Sequence, residues 1–179
     1  FSHAGRVIES LGSTPLLAWL RNSAVIAIGT AFLSVLLSVG AGYAMSRYRF
    51  RGRGAFGLIL FMTQMLPEAM LVIPLYVLFI ALGLLNGHVG LVLVNAVVVV
   101  PVLTRIIKGA IDSIPMELEE AARMDGCGRF AVLRLVVVPL IAPTLAACGV
   151  IAFFHGWNEF LFASTFVSNE VLRPASVGI

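Results

Sequence analysis

Two stretches of this chain run without a charge for long enough to cross a bilayer: Ala24 to Met45, 22 residues, and Leu135 to Asn158, 24 residues. A helix of about 20 apolar residues spans the ~30 Å hydrocarbon core. Ala55 to Leu85 is interrupted only by Glu68, and His88 to Thr104 is charge-free, so four spanning candidates fit into 179 residues. Composition agrees. Sixty per cent of the chain is apolar and 12% is charged, against about 45–50% and about 25% in soluble domains. So few charges cannot cover so apolar an interior in water, and lipid is the expected solvent for much of the surface.

The basic residues orient these candidates. Arg47, Arg49, Arg51 and Arg53 follow the first charge-free run, four arginines in seven residues, which marks the cytoplasmic side. Spans are expected over about 21–48, 56–82, 91–111 and 135–154, after an extracytoplasmic lead-in over 1–20. Gly83 to Gly90 reads as a tight external turn. Residues 112–134, with five acids and three arginines, then fall inside. Nine basic residues lie inside and three (Arg6, Arg21 and Arg173) outside. Both basic groups are juxtamembrane, which suits topology better than polyanion binding, and no nucleic-acid partner is expected. Prolines at 67, 74, 101, 139 and 143 lie in or beside spans and each removes a helix hydrogen bond. Pro67, between Gln64 and Glu68, is the best candidate for a broken helix facing a cavity.

Cys127 lies in a polar loop and Cys148 within an apolar run, so two reduced thiols are expected rather than a disulfide. No signal peptide opens the chain and Phe1 is not an initiator, so the chain reads as a fragment.

The polar segment Ser113-Ile-Pro-Met-Glu-Leu-Glu-Glu-Ala-Ala-Arg-Met-Asp-Gly126 predicts a helix. Ser113 is its expected cap, Pro115 lies in its first turn, and Glu117, Glu119 and Glu120 sit near its positive end. Ala121 and Ala122 make a flat face that another protein can approach closely, and Gly126 ends the helix in a left-handed turn. A second short helix around 129–138 leads to Pro139. Composition alone leaves a docking element and an ordinary interfacial loop equally open.

The order Glu120-Ala121-Ala122-x-x-Asp125-Gly126, with Pro139 thirteen residues on and then Pro143, resembles the EAA loop of binding-protein-dependent ABC importer permeases. Asn22-Ser23, Gly42-Tyr-Ala-Met-Ser-Arg47, Ile73-Pro-Leu-Tyr76, Gly83-Leu-Leu-Asn86, Gly90-Leu91, Ser113-Ile-Pro115 and Gly156-Trp-Asn-Glu159 are similar to the carbohydrate-uptake branch, specifically its maltose-type MalG-like subunit. The resemblance runs from Asn22 to the end. It departs in three ways. Family members usually have six spans, so a first and a last would be missing; the motif's Gly-Ala is Gly126-Cys127; and Glu68 stands where a smaller residue is usual.

The resemblance implies an all-α polytopic membrane protein, a type I importer transmembrane bundle with about four spans present, in a bacterial-type inner membrane. It implies a second permease subunit, two ATPase subunits and an external solute-binding protein as partners, with membrane lipid around them. The importer's solute would be a sugar, oligosaccharide or related polyol. Glu119, Glu120, Ala121, Ala122, Arg123, Asp125 and Gly126 would form the ATPase-docking element. Glu120 would pair with a basic residue of the ATPase, and Asp125 would hold the loop through Arg123 or Arg129. ATP and Mg²⁺ would belong to the ATPase, because the chain has no Gly-x-x-x-x-Gly-Lys-Ser/Thr phosphate loop. No cofactor, metal or catalytic residue is expected on this chain; His3, His88 and His155 are scattered.

Intramembrane polar residues are the remaining candidates for a translocation pathway: Gln64, Glu68, Asn95, Asn158 and Glu159. Interhelical hydrogen bonding for Gln64 and Asn95, and interfacial placement for Asn158 and Glu159, are the competing readings. Trp157 reads first as an interface anchor. Alternatives of other kinds stay open: an ABC permease for a non-sugar solute, an ion-coupled secondary transporter with Glu68 as its ion site, and an intramembrane enzyme, which lacks a recognisable catalytic pair.

Overall fold

The computed structural model describes residues 16–85, 87–159 and 161–166. Among them the fold is all α: α1 (Leu16–Arg47), α2 (Arg53–Met62), α3 (Glu68–Ala81), α4 (His88–Asp112), α5 (Met116–Met124), α6 (Arg129–Leu140), α7 (Ala142–Asn158) and α8 (Leu161–Phe166). Residues 1–15 of the expected lead-in lie outside the described residues, as does Asn86 of the turn. The remainder of the lead-in is already helical, because α1 begins at Leu16.

Among the described residues two helices are long and apolar enough to cross a membrane, Trp19–Arg47 and His88–Asp112, or up to four spans if each bent pair is one. The other two expected spans are each broken. Helix α2 runs into a 3₁₀ turn, Thr63–Met65, and then Leu66 (φ −80°, ψ 127°) and Pro67 (φ −61°, ψ 133°) are extended before α3 starts at Glu68. Proline disfavours a helical conformation in the residue before it, and the break falls there. Pro74 and Pro101, by contrast, are accommodated inside α3 and α4. The expected single span over 135–154 is instead a pair, α6 and α7, bent by 80°. Ahead of the bend the chain relaxes into a π turn, Leu133–Val137, just before Pro139, whose missing N–H and bulky ring spoil the ordinary i→i−4 ladder.

The surface of α1 is inverted relative to a soluble helix. Ser23, Ala27, Thr30, Ser34 and Ser38, spaced three or four apart, are buried, whereas Val25, Ile28, Phe32 and Leu36 stand out, Phe32 with 71% of its surface open. In water that pattern would expose a continuous apolar stripe. In lipid, where apolar side chains gain nothing by leaving the solvent, small residues favour close backbone approach instead.

The chain divides into two compact units: residues up to Thr30 with Pro67–Asn95 and Phe153 onward, and Ala31–Leu66 with Ala96–Ala152. In the first, Phe166 of α8 meets Tyr76 and Phe79 of α3 edge-on, with ring centroids 5.6 and 5.3 Å apart. In the second, a core of Tyr43, Val99, Leu103, Ile107, Ile111, Val137 and Ile141 gathers α1, α4 and α6. Gly42 lets α1 reach α4: a Cβ there would come within 3.1 Å of Ile107 Cγ2 and 3.2 Å of the Lys108 backbone nitrogen.

The turn after α3 is a Schellman cap. Gly83 is left-handed (φ 67°), its N–H donates to Ile80 O, and the Leu84 N–H donates to Phe79 O. Leu84 is thereby held against α4, where a Cβ on Gly90 would lie 2.2 Å from its carbonyl oxygen. Gly90→Ala is therefore expected to destabilise the protein by about 1–3 kcal/mol, the usual range for overpacking. Gly109→Ala, in the same helix with nothing within 4 Å of the new Cβ, is expected to be neutral or stabilising. Thermal unfolding in detergent followed by circular dichroism checks both, and equal melting temperatures for the two variants would rule out the clash.

Candidate functional site

Helix α5 stands between two apolar helices, and its attachment to them rests on one buried carboxylate. Glu119 is completely buried. Its Oε1 accepts from Arg47 Nε at 2.5 Å, and its Oε2 accepts from the Tyr43 hydroxyl at 3.2 Å and from Arg123 Nη2 at 3.5 Å. A carboxylate out of water is tolerated only when paired and hydrogen-bonded, and three donors meet that requirement here.

Arg47 is the last residue of α1, with only 8% of its side chain exposed. Its Nη2 donates at 2.9 Å to the carbonyls of Ile111 and Ile114. Ile111 belongs to the last turn of α4, where carbonyls lack helical partners and a cation is favoured. One guanidinium thus closes α1, caps α4 and grips α5. A smaller network lies alongside: Ser46 donates to Asp112 Oδ1 at 2.6 Å, and Lys108 pairs with the same carboxylate.

The helix ends differ at the two termini. Ser113 does not cap α5; its hydroxyl donates back to Ala110 O at 2.7 Å, and Pro115 occupies the cap position without a side-chain hydrogen bond. Glu117 and Glu119 lie in the first turn, where negative charge complements the helix dipole. At the other end Gly126 is left-handed (φ 87°); its N–H donates to Arg123 O and the Cys127 N–H to Ala122 O. This is a second Schellman cap.

The expected docking residues therefore separate. Glu119 is not on the outer rim; it faces inward and holds the element to the bundle. Glu120, Ala121, Arg123, Asp125 and Gly126 are exposed and Ala122 is half-buried. Leu118, Ala121, Ala122 and Asp125 line one wall of an open groove of about 450 Å³, whose other wall is Leu135, Val136, Pro139 and Leu140 of α6. Asp125 does not hold the loop through Arg123 or Arg129: among the described residues it forms no ion pair, Arg123 turns to Glu119, and Arg129 lies over the Tyr48 ring at 5.5 Å.

The expected pathway residues differ in their surroundings. Gln64 is exposed and donates to Val98 O at 3.4 Å. Glu68 is half-buried in the first turn of α3. Asn95 is fully buried and donates to Leu91 O of its own helix at 2.8 Å. Asn158 is exposed at the end of α7. Glu159 is buried, and its two oxygens accept from the backbone N–H groups of Phe162 and Ala163 at 2.7 and 2.9 Å, so it caps α8. Trp157 stacks on Phe153 with centroids 5.7 Å apart. Among the described residues no cluster of three or more His, Cys, Asp or Glu could hold a metal ion.

The residues that sequence reasoning missed are Arg47 and Tyr43. Both appear there only within the family-like stretch Gly42-Tyr-Ala-Met-Ser-Arg47, and Arg47 also as one of four topology-setting arginines, with no partner assigned. The position of Arg47 as the first charge after the apolar run was the available signal.

The family model for the inner membrane component of binding-protein-dependent transport systems matches residues 34–176. The chain belongs to that family. It is 37% identical over 182 residues to the sulfoquinovosyl glycerol transport system permease protein SmoH of Agrobacterium fabrum, covering 100% of this chain and 64% of that protein. It is 32% identical over 166 residues to the maltodextrin transport system permease protein MdxG of Bacillus subtilis, covering 93% and 60%. A solved bacterial ABC transporter involved in import of the acidic polysaccharide alginate aligns with a TM-score of 0.79 and 29% identity, over 91% of this chain and 57% of its own. The chain spans less than two thirds of the length of these relatives.

Removing one partner of a buried ion pair leaves the other charge unpaired, at a cost of about 3–5 kcal/mol. Arg47→Met is expected to lose that much. Arg47→Met combined with Glu119→Leu should recover a large part of it, as no buried charge remains. Unfolding of the single and double variants in detergent measures the coupling, and strictly additive losses would contradict the clamp.

Proposed function

We propose that this chain is a permease subunit of an ATP-driven importer, forming half of the translocation pathway and taking its power stroke from a separate ATPase through α5. The observation that carries the reading is the attachment of α5. A helix that is clamped to the ends of α1 and α4 through Arg47 and Glu119, and that leaves Glu120 and Ala121 exposed, can transmit a displacement imposed on its outer face. Family membership supports the same reading. The end of α1 and the α5–α6 loop would then face the cytoplasm. A second permease subunit, two ATPases and an external solute-binding protein would complete the assembly. ATP and Mg²⁺ would be held by the ATPases.

The solute would be a carbohydrate or a related polyol. Support comes from relatives named for sulfoquinovosyl glycerol and maltodextrin, and from a structural neighbour involved in alginate import.

The exposed small face predicts the contact. A cysteine placed at Ala121 in native membranes is expected to crosslink an ATPase subunit, with a yield that changes when ATP is added. Uptake that ignores ATP depletion but collapses with an uncoupler, together with no captured ATPase, would transfer the function to an ion-coupled carrier and make Glu68 the residue to test.

Gly126 tests the transmission separately. Proline cannot adopt a φ near the observed 87° and lacks the N–H that bonds Arg123 O. Gly126→Pro is expected to abolish ATP-dependent uptake while the protein still inserts in the membrane. Unaltered uptake would refute transmission through a rigid α5.

A further inference from the structure

Beside the clamp, between the end of α1 and the α5–α6 connection, lies an open cavity of about 350 Å³, at the small end of the range for ligand sites. Tyr43, Arg47, Tyr48, Arg123, Cys127 and Arg129 line it. Three of these are arginines, and among the described residues their salt bridges go to one carboxylate, Glu119, which is shared by Arg47 and Arg123. Among the described residues Arg129 has no acidic partner; its guanidinium rests on the Tyr48 ring. The cavity thus holds excess positive charge, and one of its cationic walls, Arg47, is itself buried.

Its position in the fold narrows the ligand. Arg47 ends an apolar helix of spanning length, so the cavity lies at the level where hydrocarbon gives way to lipid headgroups. Phe50 and Phe130, adjacent in sequence to this region, are exposed, Phe130 with 75% of its surface open. Such side chains suit the acyl boundary, and guanidinium groups suit phosphate oxygens, which they can engage with paired N–H donors. Basic pockets between helices at this depth are suited to anionic headgroups.

We propose that this cavity binds the phosphodiester headgroup of an anionic phospholipid, with Arg129 and Arg123 meeting the phosphate and Arg47 supplying charge from beneath. The bound lipid would then lie against the residues that hold α5 to α1. The inference rests on placement of the chain in the membrane, not on ATPase docking, and its test reads lipid retention rather than transport.

The test is native mass spectrometry of the full-length protein from phosphatidylcholine nanodiscs containing increasing phosphatidylglycerol, counting retained phosphatidylglycerol. One basic residue at a membrane surface contributes roughly fivefold in anionic lipid affinity, so Arg129→Gln is expected to weaken retention about fivefold. Arg51→Gln, which removes the same charge from an exposed position outside the cavity, should leave retention close to that of the parent. Cys127→Phe fills the cavity without changing charge and should reduce retention as Arg129→Gln does. Because Arg129 is exposed and holds no ion pair among the described residues, its substitution leaves the fold standing.

Equal losses from Arg51→Gln and Arg129→Gln would reduce the effect to diffuse surface charge and overturn the site. So would retention indifferent to both Arg129→Gln and Cys127→Phe. Displacement of the lipid by low concentrations of inorganic phosphate would assign the cavity to a free anion instead. Capture of an ATPase carboxylate by a crosslinker at Cys127, with no lipid retained, would make it part of a subunit interface. Either result would end the lipid proposal.

Discussion

The buried carboxylate of Glu119 is the constraint on which the second unit depends. Left unpaired it would be intolerable in that interior, so α1 and α5 must meet where its donors, Tyr43, Arg47 and Arg123, can reach it. Arg47 answers this from the end of α1 and at the same time satisfies two carbonyls at the end of α4. A buried ion pair of this kind contributes little net stability against well-packed apolar residues, because both ions lose their hydration. What it contributes is register. A register slip of α1 or α5 would strand one charge, whereas a leucine contact at the same place would tolerate the slip.

The apolar elements obey a different rule. Through the middle of α1, from Ala27 to Ser38, the buried residues are small or hydroxylic, and large apolar ones such as Ile28, Phe32 and Leu36 are turned out. Gly29 brings α1 near Val92, and Gly156 sits against Ala27 and Thr30, with Cβ distances of 2.9 and 3.1 Å for a hypothetical alanine. Close approach replaces hydrophobic burial as the source of contact energy, as expected where the solvent is itself hydrocarbon. Charge enters this architecture chiefly at helix ends and in the connections between them, and the fully buried charge, Glu119, is paired there with Arg47.

The sequence made the class of fold legible, because charge-free runs near 20 residues admit few alternatives and the Glu-Ala-Ala to Gly126 spacing is specific. Gly126 was readable as a left-handed cap, since glycine enters that region without strain, and Gly83 to Gly90 as a turn. Pro67 was readable as a break. The bend at Ile141 was not, because Pro139 and Pro143 fit equally well inside a kinked helix or around a turn. Ser113 misled for a related reason: a serine hydroxyl can cap the next helix or bond back to a carbonyl of the preceding one, and local sequence does not say which. The partnership of Glu119 with Arg47 spans 72 residues and leaves no periodic signature. A charge-rich helix gives no sign of which of three neighbouring glutamates turns inward.

These local features determine where displacement of α5 can go. The clamp ties α5 to the ends of α1 and α4, so under the proposed function a force on its outer face would pass to those ends. Both of those helices are continuous, and a continuous helix transmits a push without absorbing it. The other apolar segments are interrupted, at Leu66–Pro67, where the backbone is extended, and at Ile141, where the helix axis bends by 80°. Irregular backbone at membrane depth persists only where protein or water satisfies its polar groups. Unbroken backbone thus lies in the two helices joined to α5, and the bends lie in the other two apolar segments. In the proposed importer, that division would let one short helix move a bundle rather than merely decorate it.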